Sequence, residues 1–451
     1  MIVQSAMLQR PDLPSGKTFI PQGEFLTRAS DYGYVEEEWI ASGADDKGMP
    51  YRTQILVRRP RDPAKFSGTV VVEPLHASGI AAIYMYSAPY IMRSGHGWAC
   101  IASQKTALDQ HVKGSDAKRY ASLEIGSDFT PPESTTISPQ AGARQITDLK
   151  AFLTMLERVN QASAAILAQA GAALRLASGP FGEVGHMVLV GHSQTGWVST
   201  NYITTAHATH RRENGAPIYD GYLPTGMPGA PFGPRDVPLI QVLSDGDIED
   251  AQDRLLDRAN PGRHYRRADS DASDDRYRLY ELAGVPHLGT RYAPHNDAAF
   301  TGERQGGLIK PSDKMNSLPH NELFSACLHL LVAWVVRGQI PPRAERIQME
   351  LDGRYFAKDE HGNSIGGVRC AQMDVPHSTY HPVPVNEAGA PVFATVGTEV
   401  PFDAAKMRAL YGTPGAYLQQ FNRRLAELVS TGWFLGEDAE YMRAEAASRK
   451  F

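Results

Sequence analysis

Cysteine is scarce in this chain of 451 residues: Cys100, Cys327 and Cys370 are the only three, far apart and odd in number. That distribution supports neither a disulfide framework nor a four-ligand zinc site. Long apolar runs are missing as well, and no window approaches the roughly 18 consecutive apolar residues of a membrane-crossing helix. The opening stretch, with Gln4, Arg10, Pro11 and Asp12, lacks a charged segment followed by an apolar one, so no secretory signal is read there. Basic charge is not in excess either. The 45 Lys and Arg residues stand against 50 Asp and Glu, a formal net charge of -5 that offers no basic face to nucleic acid. The expectation is a cytoplasmic globular protein with no membrane or nucleic-acid partner, of unassigned oligomeric state.

What is present is an alternation of strands and helix-length connections. Tyr51 to Arg58 sets Tyr51, Thr53, Ile55 and Val57 against mostly polar neighbours, which predicts a half-buried strand. Gly68 to Glu73 and Trp98 to Ser103 are β-branched or apolar runs suited to fully buried strands. Ala143 to Ile166 has helical spacing, and Pro217 to Leu223, Val237 to Leu243 and Tyr277 to Leu282 are further strands. This order predicts an α/β fold, a mostly parallel sheet covered by helices. The polar segment Lys105 to Pro139 reads as a lid or as an inert surface excursion. The stretch before Met49 and the half after Pro342 read as irregular, the latter with His377, Tyr380 and His381 as a possible pocket wall.

The chemistry gathers around Val188-Leu189-Val190-Gly191-His192-Ser193-Gln194-Thr195-Gly196-Trp197. A buried strand, Met187 to Val190, enters and a helix leaves, with a serine between. A nucleophile elbow needs this setting, because the chain reverses within a few residues at strained backbone angles and small residues must flank the serine. Gly191 and Gly196 fit that demand; Thr195 fits it less well. A serine that merely caps the helix is the competing reading.

The strand Val237 to Leu243 runs into Ser244-Asp245-Gly246-Asp247-Ile248-Glu249-Asp250. Catalytic groups of open parallel sheets collect beyond the carboxyl ends of strands. Asp247, following a turn glycine and preceding an apolar residue, is the first choice of acid and Asp245 the second; Glu249 and Asp250 read as solvated turn residues. Tyr277 to Leu282 ends at Ala283-Gly284-Val285-Pro286-His287, which makes His287 the candidate base, with His295 its rival. The chain order Ser193, Asp247, His287 is that of α/β-hydrolases and differs from the two protease orders.

Over almost its whole length the chain resembles the bacterial alpha/beta hydrolase domain-containing branch of the α/β-hydrolase superfamily. The resemblance is carried by Gly33-Tyr34-Val35-Glu36-Glu37-Glu38, Arg58-Arg59-Pro60, Phe66 to Glu73, Arg119-Tyr120, the elbow, Glu281-Leu282-Ala283-Gly284, Leu331 to Val335, and Gly362-Asn363 with Gly366-Gly367-Val368-Arg369. It implies one continuous domain and a Ser193-His287-Asp247 triad acting through an acyl-enzyme, with no cofactor and no metal. The implied reaction is hydrolysis of a small carboxylic ester or lactone. An acyltransferase or lyase on the same triad, and an inactive binding protein of the same fold, are the alternatives. The expected oxyanion donors are the backbone N–H of Gln194 and one from the loop after Glu73, at Leu75 or His76. Glu73 itself reads either as a site carboxylate or as a structural acceptor. His207 and His210 read as part of a solvated helix end rather than a metal pair, and Arg266, Arg267, Asp269, Asp271, Asp274 and Asp275 as charged surface.

Overall fold

The computed structural model describes residues 2–21, 27–126, 149–229, 231–248, 265–289, 313–350, 356–384 and 395–451, with side chains in the long helix from residue 162 onward. It comprises two compact units, Met1–Thr225 and Gly226–Phe451.

In the first unit the strands β1 (Met7–Gln9), β2 (Tyr34–Ala44), β3 (Pro50–Pro60), β4 (Thr69–Pro74), β5 (Gly97–Ile101), β7 (His186–His192) and β8 (Gly221–Thr225) lie in the spatial order β1-β2-β3-β5-β4-β7-β8, and the short β6 (Glu124–Ile125) pairs with β3. β5, β4, β7 and β8 are parallel, with Val70 opposite Met187 and Val190 opposite Leu223. Every residue of β4, β5 and β8 is buried, as continuous apolar runs in a parallel sheet require. Helices α1 (Ala82–Arg93), α2 (Leu149–Leu174) and α3 (Gln194–Asn201) connect and cover these strands.

The antiparallel β2–β3 ribbon was not legible in the sequence, because β2 carries three consecutive glutamates. Pairing across strands resolves them: Glu36 lies opposite Arg58, and Arg58 donates to Glu36 Oε2 at 2.9 and 2.6 Å while its guanidinium lies over the Tyr84 and Trp98 rings. Glu37 pairs with Arg59. Glu38 is buried among Gln54, Tyr120 and Arg119, which accounts for the Arg119-Tyr120 dipeptide. The expected lid begins as ordered helix, Lys105–Ala107 continuing as Leu108–Lys113; its part at 127–139 lies outside the described residues. So do residues 143–148 of the expected helix, and α2 runs on through an alanine-rich buried stretch to Leu174.

In the second unit β9 (Leu239–Ser244) and β11 (Asp275–Leu282) are parallel, and β10 (Ser270–Ala272) folds back antiparallel on β11. Helix α4 (His320–Arg337) packs against β9. A separate antiparallel sheet has the order β12 (Lys314–Met315), β14 (Thr398–Pro401), β13 (Ser378–His381). The end of the chain is helical rather than irregular: α5 (Ala404–Tyr411), α6 (Pro414–Ser430) and α7 (Gly436–Ala447). In α6 Tyr417, Phe421, Leu425 and Leu428 are buried, the i, i+4, i+8, i+11 face of an amphipathic helix. His377 and Tyr380 belong to this packing: His377 bonds the Tyr380 and Tyr417 hydroxyls, and burial pushes its pKa well below the usual value.

The mixed-charge loop before β11 is also more than surface. Arg266 donates to both oxygens of the fully buried Glu281 at 2.7 and 2.8 Å, and Tyr265 and the Ile347 amide donate to the same carboxylate. Asp269 is engaged by Arg346. The Gly366-Gly367 pair has positive φ at both positions and lies so close that a Cβ at Gly367 would sit 2.6 Å from the Glu281 carbonyl oxygen.

Candidate active site

In the first unit, β7 hands over to α3 at Ser193. This residue has φ 58° and ψ -127°, the one non-glycine with positive φ among the described residues. An L-residue held there costs of order 1–3 kcal/mol, so the surroundings must impose it. They do so by close approach of backbone. A Cβ on Gly191 would lie 2.2 Å from the Thr195 carbonyl oxygen, and one on Gly196 would lie 2.1 Å from that of Thr225, which also accepts the Ser193 N–H at 3.0 Å. Neither position admits a side chain. Thr195, the departure from the usual glycine, has a use of its own: its hydroxyl donates to the His192 carbonyl at 2.8 Å and accepts the His192 N–H at 3.0 Å, bracing the turn. The His192 ring is fixed by Thr225 Oγ1 and by the edge of Tyr86.

Gln194 opens α3, so its N–H has no acceptor within the helix. At the positions expected for the second donor, Leu75 and His76, both amides already have acceptors. The Leu75 N–H is given to Ile101 O at 2.8 Å and the His76 N–H to Ile80 O at 3.0 Å. The first bond ties the end of β4 to the end of β5, and the second closes the tight turn that leads from β4 into α1. The same turn is tied to neighbouring elements by side chains with no local sequence signal. Ala77 N–H donates to Gln194 Oε1 at 3.2 Å, Gln104 Nε2 donates to Leu75 O at 3.0 Å, and His111 Nε2 meets Ala77 O at 2.9 Å. Glu73 proves structural: its buried carboxylate accepts from Ile83 N, Tyr84 N and Trp98 Nε1, capping α1. Burial outweighs those three donors and pushes its pKa up to about 7.

In the second unit, the ends of β9 and β11 bring Asp247 and His287 together. Asp247 Oδ1 faces His287 Nδ1 in a short contact, and Asp247 Oδ2 accepts the Ser244 N–H at 2.6 Å. The carboxylate is buried and the imidazole is about one-sixth exposed, at 16%. Gly246 permits the approach, since a Cβ there would lie 3.0 Å from His287 N and 3.1 Å from Pro382 O. Asp245 turns elsewhere: Oδ2 accepts from Gly284 N at 2.8 Å and Ser364 Oγ at 2.5 Å, joining the two strand-end loops to the Gly362–Arg369 segment. Behind His287, the buried His320 stacks on Phe324 and reaches the His287 carbonyl at 3.4 Å; burial pushes its pKa down to about 3, so it stays neutral. Glu249, Asp250 and His295 lie outside the described residues. His207 and His210 are buried rather than solvated, bonded to Tyr222 and paired with Asp46, and no cluster of three metal-ligating side chains occurs among the described residues. Nor, among them, is any helix long and apolar enough to cross a membrane.

A serine forced to positive φ between a buried parallel strand and a helix, in a sheet covered by helices, defines the α/β-hydrolase fold. The chain belongs to the alpha/beta hydrolase domain family, whose model matches residues 8–444. None of the curated proteins compared matches it. Solved structures with a likeness in fold include a poly(3-hydroxybutyrate) depolymerase from Bordetella parapertussis, 13% identical over 70% of this chain and 94% of that one, TM-score 0.30. A siderophore hydrolase from Aspergillus nidulans is 15% identical over 57% of this chain and 78% of that one, TM-score 0.27. A prolyl endopeptidase is 10% identical over 55% of this chain, TM-score 0.29, and only 35% of its own length is covered.

Proposed function

We propose that this protein is a serine hydrolase that cleaves a small carboxylic ester or lactone, with Ser193 as nucleophile, His287 as general base and acid, and Asp247 as the acid that orients the imidazole. The observation that carries the reading is the backbone of Ser193, a strained residue whose conformation is enforced by two glycines. Strain of this kind presents a hydroxyl at the head of a helix rather than capping it, and the Ser193 side chain makes no cap hydrogen bond. The Asp247–His287 contact supports the second half of the mechanism. A carboxylate on Nδ1 fixes the tautomer in which Nε2 is the proton acceptor, and stabilises the imidazolium that results.

In the proposed cycle Ser193 Oγ attacks the ester carbonyl carbon as its proton passes to His287 Nε2. The tetrahedral oxyanion, held by the Gln194 N–H, collapses; the C–O bond breaks and the leaving alkoxide takes the proton from His287. Water then repeats the sequence on the acyl-serine, releasing the acid and restoring the hydroxyl. No cofactor enters this scheme, and the expected partner is the small-molecule substrate. A fluorophosphonate probe should label the wild type and not Ser193→Ala, and a panel of esters and lactones should be turned over by the wild type alone. Equal labelling of both proteins, or of neither, would remove Ser193 from the mechanism.

A further inference from the structure

The loop that carries His287, from Ala283 to Gly289 after β11, does little to hold itself: its own turn bond, Val285 N–H to Leu282 O, is long at 3.4 Å. Its shape is demanding all the same. Gly284 sits at φ 72°, and a Cβ there would lie 2.7 Å from Met373 Sδ and 3.0 Å from Leu318 Cδ1. Asp245 takes the Gly284 N–H, and the Gly246 N–H donates to Val285 O at 3.0 Å, so the acid loop fixes one side. The other side is fixed by residues 316–320, the connection from β12 into α4.

Both ends of this connection grip the loop through buried side chains. Asn316 donates from Nδ2 to Gly284 O at 2.9 Å and, more distantly, to His381 O at 3.4 Å. His320 reaches His287 O with Nε2 at 3.4 Å; a carbonyl only accepts, so Nε2 carries the proton. Leu318, between them, crowds Gly284, and His320 crowds Gly289, where a Cβ would lie 2.7 Å from the His320 Cβ and Cγ. The connection is itself anchored. Asn316 N–H donates to Gly397 O at 3.0 Å, and Ser317 donates to Glu399 Oε2 through N at 2.9 Å and Oγ at 2.5 Å. The His320 ring stacks on Phe324 one turn along α4, with centroids 4.4 Å apart. A buried polar side chain costs free energy unless it is bonded, and here both residues bond the carbonyls that bracket the base.

We propose that Asn316 and His320 are positioning residues for the proposed hydrolysis: as two jaws of one clamp they hold the loop at Gly284 and His287, so that the imidazole keeps its contact with Asp247 through both proton transfers. The inference rests on the reading of His287 as general base. The loop must not yield as the ring gains and loses a charge, because a catalytic group displaced by about 1 Å can cost about a hundredfold in rate. An imidazole suits the second jaw for a further reason. Burial pushes the His320 pKa down to about 3, so it supplies a donor without setting a second positive charge beside the imidazolium formed on His287.

The test uses the full-length protein with p-nitrophenyl acetate as substrate and the downfield Nδ1 proton of His287 as reporter, identified by its loss in His287→Gln. Asn316→Ala and His320→Leu should each lower kcat by about tenfold or more with KM within about twofold, and should each shift or broaden the His287 proton. His320→Gln, which keeps an N–H donor at the reach of Nε2, should recover most of the loss. Gly289→Ala removes no donor but pushes a Cβ against the His320 ring, so it should reproduce the His320→Leu effect, and it decides the matter if a deletion variant does not fold. A merely structural contact would lower the melting temperature while leaving kcat per folded molecule and the His287 proton in place. That result in any of the three disruptive variants, or a His320→Gln no better than His320→Leu, overturns the clamp while Ser193-dependent turnover keeps the serine reading intact. Wild-type turnover that survives Ser193→Ala overturns both.

Discussion

Replacing Glu73 by Gln should remove a pH dependence that the wild type carries in its stability. The carboxylate is fully buried at the end of β4, and its folded pKa is raised from 4.5 to about 7, burial being the largest cause. The sign follows from proton counting. Between pH 4.5 and 7 the folded chain holds the Glu73 proton while the unfolded chain has lost it, so stability falls as pH rises through this window and levels off above the folded pKa. At about 1.4 kcal/mol for each pH unit separating the folded and unfolded values, the loss from pH 5 to pH 8 comes to about 2–3 kcal/mol. Gln removes the titration but sets an amide N–H2 against at least one of the three N–H donors, a pH-independent offset, so the stability of Glu73→Gln relative to the wild type should rise from pH 5 to pH 8 by the amount the wild type loses. Urea unfolding of both proteins at the two pH values isolates the effect, because every other titrating group cancels in the difference between them. A wild-type-minus-variant difference that changes by less than about 0.5 kcal/mol, or with the opposite sign, would show that the three N–H donors hold Glu73 ionised and that burial does not dominate.

Asp247→Asn should lower kcat by about ten-thousand-fold with little change in melting temperature, the penalty of presenting the wrong partner to His287 Nδ1. Asp245→Asn should leave kcat per folded molecule within about tenfold, since its Oδ2 is engaged by the Gly284 amide and Ser364 hydroxyl, while Asp245→Ala, which removes that acceptor, should lower stability by about 1–3 kcal/mol. Equal activity losses would mean that the two acids are not divided in this way. Gly196→Ala forces a Cβ to within 2.1 Å of the Thr225 carbonyl oxygen, so it should cost about 1–3 kcal/mol or more in thermal unfolding; a neutral result would mean the elbow can relax.

The elements that sequence reasoning found were those with a local cause. Consecutive apolar residues announce a strand buried on both faces, so β4, β5, β7, β9 and β11 were legible, as were the strand-end positions of Ser193, Asp247 and His287. Gly191 and Gly196 were visible because close backbone approach excludes every other residue, and Gly246 because the turn beside it is tight. The β2 strand was hidden because its glutamates look solvated until arginines on β3 stand opposite them, and the terminal helices were missed although their periodicity was present.

By itself, then, the order of residues determined the α/β architecture, the strained serine and which loops carry titratable groups, because steric and hydrophobic constraints act between near neighbours. Only the tertiary structure decided which of two nearby aspartates meets the histidine, that Glu73 caps a helix, and that the Leu75 and His76 amides are already taken. Those outcomes depend on hydrogen-bond partners brought from distant parts of the chain, and a donor's partner leaves no trace in the sequence around the donor.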